Sequence, residues 1–332
     1  MAKAWHLMKR PQGKPTHDDV TLKDIDLPAL EDGMIHVKND WISVDPYMRV
    51  RMDDQESYFE SFQLEKPMDG GAVGTVVASK ADGFEEGDKV LHFGGWRDEA
   101  VVQAKTAQKL PDLGVDYFHF LSTLGLTGGT AWFGLMDVAS AKEGDVVFVS
   151  AAAGAVGSMV VQFAKAKGMT VIGSAGGADK CDYVKSIGAD ACIDYKAGPI
   201  IKGLHKALQE IGEKGIDVYF DNVGRDHLDA AIAHAKQNAR IAMCGFIDGI
   251  NGEVAYPFKY LALAIGKRIR MEGFIFTDFQ ARMPEFYQEV VPMMLSGKVT
   301  TRETVHEGIE STFDAFLGLF EGANTGKMLV KI

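Results

Sequence analysis

The sequence predicts an α/β protein in which a β-rich segment leads into a parallel, doubly wound sheet. Three observations carry this prediction. The first ~110 residues hold short β-prone runs between turn signals and no long amphipathic helix. From about Asp145 onward, short apolar strands alternate with helical patterns, the succession that builds a parallel sheet with helices on its faces. At the head of that alternation, Val146–Gly157 passes from an apolar strand through a glycine-bearing turn into a helix.

The β-prone runs are Lys3–Met8, Val20–Leu27, Met34–Asp40, Ala72–Ser79, Lys89–Phe93 and Ala100–Ala104. Turn signals such as Glu31-Asp32-Gly33 and Glu85-Glu86-Gly87-Asp88 separate them. A small barrel or sandwich is the natural solution for such a segment. The character changes after Leu110-Pro111. Val146–Ser150 reads as a buried strand, and Gly157–Lys167 as a helix with Val160, Phe163 and Ala164 on one face. Next come the strand Thr170–Ser174, a helix near Asp179–Ile187 and the strand Ala191–Asp194. Leu204, Leu208 and Ile211 mark a further helix, followed by strands at Asp217–Phe220 and Arg240–Cys244. Gly273–Phe276 is the candidate sixth strand. The tail carries a helix over Ile309–Phe320 and a terminal strand, Lys327–Ile332.

A chain of 332 residues exceeds one ordinary domain, so two are expected. With 46% hydrophobic and 24% charged residues the balance is that of a globular protein. The 35 basic and 46 acidic side chains leave a formal charge of −11. That argues against nucleic acid or an anionic membrane as the main partner, because both demand basic surfaces; a local pocket for one small anion is still allowed. Three cysteines are too few for a disulfide framework and fit a reducing compartment. No apolar run reaches the ~18–20 residues of a membrane span, and the N-terminus lacks the features of a secretory signal. The expectation is a cytoplasmic protein.

The strongest local motif is A-x-x-G-x-x-G at Ala151–Gly157, a variant of the dinucleotide fingerprint. Gly154 lets backbone approach a pyrophosphate, Gly157 lets helix and sheet pack closely, and the helix that begins there offers unpaired N–H groups. A glycine-rich turn on its own is more often just a turn; its place between a strand and a helix favours nucleotide binding. The end of the second strand then reads Gly173-Ser174-Ala175-Gly176-Gly177-Ala178-Asp179-Lys180. An enzyme for NAD would carry an acid at the strand's end for the ribose diol. Here the strand ends without one and Lys180 follows, which favours the 2′-phosphate of NADP over a merely solvated lysine. The nine histidines form no HExxH and the cysteines no C-x2-C, so no metal motif is present. Cys181, Cys192 and Cys244 read as small core residues. P-loop and nucleophile-elbow signatures are missing, which leaves redox chemistry on a soluble cofactor.

Seven marks in order carry a family resemblance: Asp45-Pro46-Tyr47-Met48-Arg49, Gly128-Gly129-Thr130-Ala131-Trp132-Phe133-Gly134, Ala151–Gly157, Asp179-Lys180, Phe220-Asp221-Asn222-Val223-Gly224, Cys244-Gly245 and Asn324-Thr325-Gly326-Lys327. The chain resembles the zinc-free medium-chain dehydrogenase/reductase superfamily over nearly its whole length, and within it the leukotriene/prostaglandin, alkenal double-bond and curcumin reductases. The resemblance implies a GroES-like catalytic domain over residues 1–120, completed by 293–332, and a Rossmann domain over 121–292, in a homodimer. It also implies reduction by NADPH of a carbon–carbon double bond in an enone or enal, with hydride added at the β-carbon and a proton at the α-carbon. Carried over by position, Gly154, Ala155, Val156 and Gly157 meet the pyrophosphate, and Lys180 and Tyr195 the 2′-phosphate. Asn222, the run Cys244, Gly245, Phe246 to Ile250, then Phe274, Ile275, Phe276 and Asn324 line the adenosine and nicotinamide ends. Tyr47 faces the substrate carbonyl. One departure stands out: Ile250 occupies the place where many members carry a tyrosine.

From residue physics alone, Tyr47 is either a core aromatic or a cleft wall. Asp45 and Arg49 read as structural ion-pair or cap residues, and Thr127 and Thr130 as helix-start hydroxyls or nicotinamide neighbours, with the structural reading favoured for Thr130. Tyr58, Phe59 and Phe62 form either a substrate lid or a patch tucked onto the barrel. Two further functions compete with the enone reductase. One is a quinone reductase of the zeta-crystallin type; the other is a silent NADPH-binding protein, which only Ile250 encourages.

Overall fold

Alternating apolar positions near the N-terminus pair up as antiparallel strands, and the alternation later in the chain becomes a parallel sheet. The computed structural model describes residues 1–252 and 255–332, and the chain divides into two units, Met1–Leu121 with Glu303–Ile332, and Ser122–Arg302.

In the first unit β1 (Ala2–Leu7) and β2 (Val20–Ile25) form an antiparallel pair. β3 (Met34–Ser43) buries Ile35, Val37 and Ile42. A short helix, α1 (Tyr47–Arg51), precedes β4 (Ala72–Ser79), β5 (Lys89–His92), β6 (Glu99–Gln103) and β7 (Gln108–Lys109). β3 pairs antiparallel with both β4 and β6, which lets the sheet curl around one strand. Its register against β4 slips between His36 and Val37 and again between Asn39 and Trp41, and such slips bend a strand.

The second unit starts with α2 (Leu126–Phe133), continued by one π-turn, Gly134–Val138. Then follow β8 (Val146–Val149), α3 (Ala155–Ala166), β9 (Thr170–Ala175), α4 (Ala178–Ser186), β10 (Ala191–Asp194), α5 (Ile200–Glu210), β11 (Ile216–Asp221), α6 (Arg225–His234) and β12 (Ala235–Met243). α7 (Leu263–Lys267), β13 (Arg270–Gly273) and α8 (Met283–Leu295) complete it. The six strands lie parallel in the order β10-β9-β8-β11-β12-β13. Every residue of β8 is apolar and buried, as a strand covered on both faces must be. Phe148 and Tyr219 stack at 5.0 Å in a core shared with Ile172, Leu204, Leu208 and Ile241. Burying each such side chain stabilises the fold by about 1.5–3 kcal/mol.

The chain then returns to the first unit with β14 (Glu303–Glu307), α9 (Thr312–Glu321) and β15 (Lys327–Lys331). β15 sits between β14, to which it runs parallel, and β3, to which it runs antiparallel. Phe313 and Phe316 of α9 drive into the core against Trp5 and Trp96. Gly322, at φ 66°, closes the helix in the left-handed conformation glycine tolerates.

Several elements differ from the sequence expectation: α6, α8 and β14 are not marked in it, β12 begins earlier than Arg240, and the sixth strand is displaced. The sixth strand is Arg270–Gly273, not Gly273–Phe276. As an exposed edge strand it accepts a polar sequence, while Phe274 and Phe276 leave it to pack on Gly134 and Gly129 of the α2 region. α8 is not among the expected elements. Pro284 falls in the first turn, where it is tolerated, and Pro292 lies inside the helix.

Candidate active site

The cofactor-type motifs of the second unit meet because parallel strands send all their C-terminal loops to one edge of the sheet. β8 delivers Ser150 into a turn that opens at Ala151, φ 48°. Gly154 donates its N–H to Ala151 O at 2.9 Å and N-caps α3. A Cβ on Gly157 would run into the Ala151 carbonyl, so only glycine lets the helix start this close to the strand. Ala155, Val156 and Gly157 form the first turn of α3, which no side chain caps. Their amides and the positive helix end make a cradle for an anion.

The neighbouring strand supplies charge. Beyond β9, Gly177 at φ 102° turns the chain into α4, with Lys180 in the first turn. The Gly177 N–H donates to Asp194 Oδ1 at 2.8 Å and the Lys196 N–H to the same oxygen at 2.9 Å, so this carboxylate is engaged in shaping the loops. Tyr195 and Lys196 lie over Gly176, whose added Cβ would stand 2.6 Å from the Tyr195 hydroxyl and 3.0 Å from Lys196 Cε. Burial, and then the charge of Lys196, push the Lys180 ammonium below its ordinary pKa. Two cations that oppose each other are the electrostatic signature of a place for an anion. Lys196 escaped the sequence reading; the available signal was its position directly after Tyr195, at the end of the strand beside Lys180's own.

Asp221, fully buried at the end of β11, ties two further loops together. Its Oδ1 accepts from the Tyr219 hydroxyl at 2.7 Å, Val223 N at 3.0 Å and Gly224 N at 2.8 Å. Its main-chain oxygen accepts from Cys244 N at 2.9 Å and Gly245 N at 3.0 Å. Asn222 donates from its side chain to Ser150 O at 2.8 Å, linking this loop to the glycine turn. The Phe246 ring seats on Gly224 with the Arg225 guanidinium 5.9 Å from its centroid, and Ile250 ends the short turn that follows. Burial and Asp221 push the Cys244 thiol up to about 12, so it stays protonated. Cys181 and Cys192 sit with sulfurs 2.8 Å apart, and burial raises both thiols. Phe274, Ile275 and Phe276 follow β13 at the same edge.

Tyr47 and Asn324 belong to the first unit. Tyr47 opens α1 after Pro46, and burial together with the Asp45 charge raises its phenol well above the ordinary value. The hydroxyl is therefore a donor at any physiological pH. Asp45 is held by the Ser43 hydroxyl and by Lys327, whose ammonium lies 2.8 Å from Asp45 Oδ1 and 2.9 Å from Val44 O. Lys327 is 3% exposed and Asp45 7%. Two of the sequence marks thus close on each other through a buried ion pair. Asn324 donates to Gly326 O at 2.8 Å and shapes the turn before β15. Arg49 pairs with Asp53 at 2.7 Å, and Thr130 bonds its own helix at Leu126 O, so both are structural. Phe62 is buried, whereas Phe59 stacks on Tyr47. Among the described residues no three His, Cys, Asp or Glu side chains gather as metal ligands, and no helix is long and apolar enough to cross a membrane.

Comparison with known proteins agrees with this arrangement. Residues 3–110 match the family model described as the N-terminal domain of oxidoreductase, and residues 155–295 that described as zinc-binding dehydrogenase. The chain is 40% identical over 326 residues to the 2-alkenal reductase (NADP(+)-dependent) of Nicotiana tabacum, across 96% of this chain and 94% of that protein. It is 35% identical over 335 residues to the NADPH-dependent curcumin reductase of Escherichia coli (strain K12), across 99% and 96% respectively. The crystal structure of CurA from Vibrio vulnificus in complex with NADPH is similar at TM-score 0.92 and 38% identity, covering 99% of this chain and 98% of that one. Identity at this level over whole chains places it in one family with them: the chain belongs to the medium-chain dehydrogenase/reductase superfamily.

Proposed function

We propose that this protein uses NADPH to reduce the carbon–carbon double bond of α,β-unsaturated ketones or aldehydes. The second unit is the cofactor domain and the first the catalytic domain. The glycine turn fits a dinucleotide, since Gly157 lets the uncapped start of α3 lie close against the turn and leaves its amides open to an anion, and the Lys180–Lys196 pair fits a 2′-phosphate. Gly154, Ala155, Val156 and Gly157 would hold the pyrophosphate, and Lys180, Tyr195 and Lys196 the phosphate. Asn222, the Cys244–Ile250 turn, Phe274–Phe276 and Asn324 would line the remainder. When bound, the reduced nicotinamide supplies a hydride.

The observation that carries the reading is the Tyr47 hydroxyl at the start of α1, a phenol protonated at its ordinary value and raised further by burial and Asp45. As a double bond conjugated to a carbonyl is reduced at its β-carbon, negative charge gathers on the carbonyl oxygen. A phenol that donates there stabilises that charge, typically the largest single contribution to such a reaction. Ile250 carries no proton, so water protonates the α-carbon. The test is turnover of a simple enone with 4-deuterated NADPH in heavy or light water. Cofactor deuterium at the β-carbon and solvent deuterium at the α-carbon of a saturated ketone support the reading. Label at the carbonyl carbon, or semiquinone radicals from quinones without enone turnover, overturns it.

We also infer a homodimer in the cytoplasm. Supporting the first, β13 is an edge strand exposed along its whole length, next to exposed Leu261, Leu263 and Ile265, a combination that invites pairing with a second copy. Supporting the second, the three cysteines are unbridged.

A further inference from the structure

Three aromatic rings in the first unit form a ladder that starts at Tyr47. Tyr47 and Phe59 lie with centroids 5.0 Å apart and planes at 27°, and Phe59 and Phe93 at 6.0 Å and 21°. These separations exceed the ~3.5–4.0 Å contact distance of stacked carbon atoms, so the rings are offset sideways like steps. Tyr58 tilts against Phe59 at 5.1 Å.

The ladder is backed by a fixed cation. The Arg51 guanidinium carbon lies 4.1 Å from the centroid of Phe62, 5.6 Å from Phe59 and 5.9 Å from Phe93. Arg51 is buried, paired with Asp69, and donates to Glu60 O at 2.9 Å. The Phe62 N–H donates to Arg51 O at 2.7 Å, and Phe93 O accepts the Gly70 N–H at 3.2 Å. Both flanks of the ladder are thereby pinned, yet Phe93 keeps 41% and Tyr58 54% of its surface exposed. Phe93 and Tyr58 therefore leave ring surface open on either side of the half-buried Phe59, a surface suited to a flat apolar group.

We propose that Phe59 and Phe93 are specificity-determining residues that receive an aromatic ring conjugated to the enone, while Tyr47 at the head of the ladder meets the carbonyl. This rests on the enone-reductase reading above. Conjugation keeps aryl ring, double bond and carbonyl in one plane, so such a substrate presents one flat π-face to the ladder. An alkyl chain of equal size covers the same area but presents no ring.

The experiment compares 4-phenyl-3-buten-2-one with 3-decen-2-one, two enones of equal carbon number, in the wild type and in Phe59→Leu, Phe93→Leu, Phe59→Tyr and Phe93→Tyr. A cooperative thermal melt of each variant at the wild-type temperature establishes that the first unit is folded. The ratio of kcat/KM for the aryl over the alkyl enone is expected to fall about three- to tenfold in each leucine variant and to stay within about twofold in the tyrosine variants. A ratio unchanged by leucine, whether both rates hold or both drop together, overturns the proposal and makes the ladder a support for Tyr47. Failure of the wild type to reduce either enone overturns the underlying reading, and the proposal with it.

Discussion

Replacing Lys180 by alanine should separate NADPH from NADH. A charge-assisted hydrogen bond to phosphate is worth about 1.5–3 kcal/mol, or roughly one to two decades of affinity. Lys180 is half-buried, so little of that is lost to solvent screening, whereas Lys196 is exposed and its alanine variant should cost only about threefold to tenfold. The two effects should not add, since the ammonium groups act on each other and on one anion. Titration followed by reduced-nicotinamide fluorescence gives both dissociation constants; NADH should be nearly unaffected in either variant. The pH dependence sharpens the test. Burial and Lys196 lower the Lys180 pKa, so NADPH affinity should fall as pH rises through that lowered value. Lys196→Ala removes one of the two causes and should move the fall to higher pH, although affinity at neutral pH is weaker. Equal weakening of NADPH and NADH by Lys180→Ala would refute the assignment. A pH limb that stays in place in Lys196→Ala would refute the coupling.

Three further outcomes are expected. Tyr47→Phe should lower turnover about 10²–10³-fold with NADPH binding unchanged, and an unimpaired variant would remove Tyr47 from the mechanism. Turnover should survive exhaustive dialysis against a chelator; a large loss restored by zinc would contradict this. Acid should destabilise the fold through His92. This ring is buried between Asn39 Oδ1 at 2.9 Å and the Gly94 N–H at 3.1 Å, and burial lowers its pKa to about 4. The neutral ring belongs to the fold, so stability is complete above the unfolded value near 6.5 and is lost as pH falls from there to about 4, by roughly 3 kcal/mol in all. Denaturant titrations at pH 7.5 and 4.5 measure the loss, and His92→Gln should reduce it without abolishing it, because burial lowers His227 to about 4 as well.

Local chemistry made much of this protein legible before any folding was considered. The run Val146–Gly157 announces strand, turn and helix because its apolar run and two glycines answer steric demands within a dozen residues. The missing acid at Ala175 and the nearby Lys180 likewise speak for themselves. The apolar run also located β8, since a strand covered on both faces must be apolar throughout.

Where the backbone context is long-range, the reading falls short. The polar run Arg270–Gly273 becomes a strand only because β12 offers it an edge, and Phe274–Phe276 does not because glycines elsewhere make room for its rings.

The functional groups divide in the same way. Residue type and spacing determine which groups are chemically able to act: a phenol at 47, an ammonium at 180, unpaired amides at 155–157. Which groups act together is a matter of pairing across the fold. Lys196 faces Lys180 because β9 and β10 run side by side, and Asp221 joins two loops because β11 and β12 do. Asp45 meets Lys327 from 282 positions away once β15 docks on β3, and Phe93 reaches Phe59 only after the sheet has curled. Propensity acts over a few neighbouring residues, whereas the distances that set a charge, a donor or a stacked ring are fixed by strand register, which no short stretch of sequence contains.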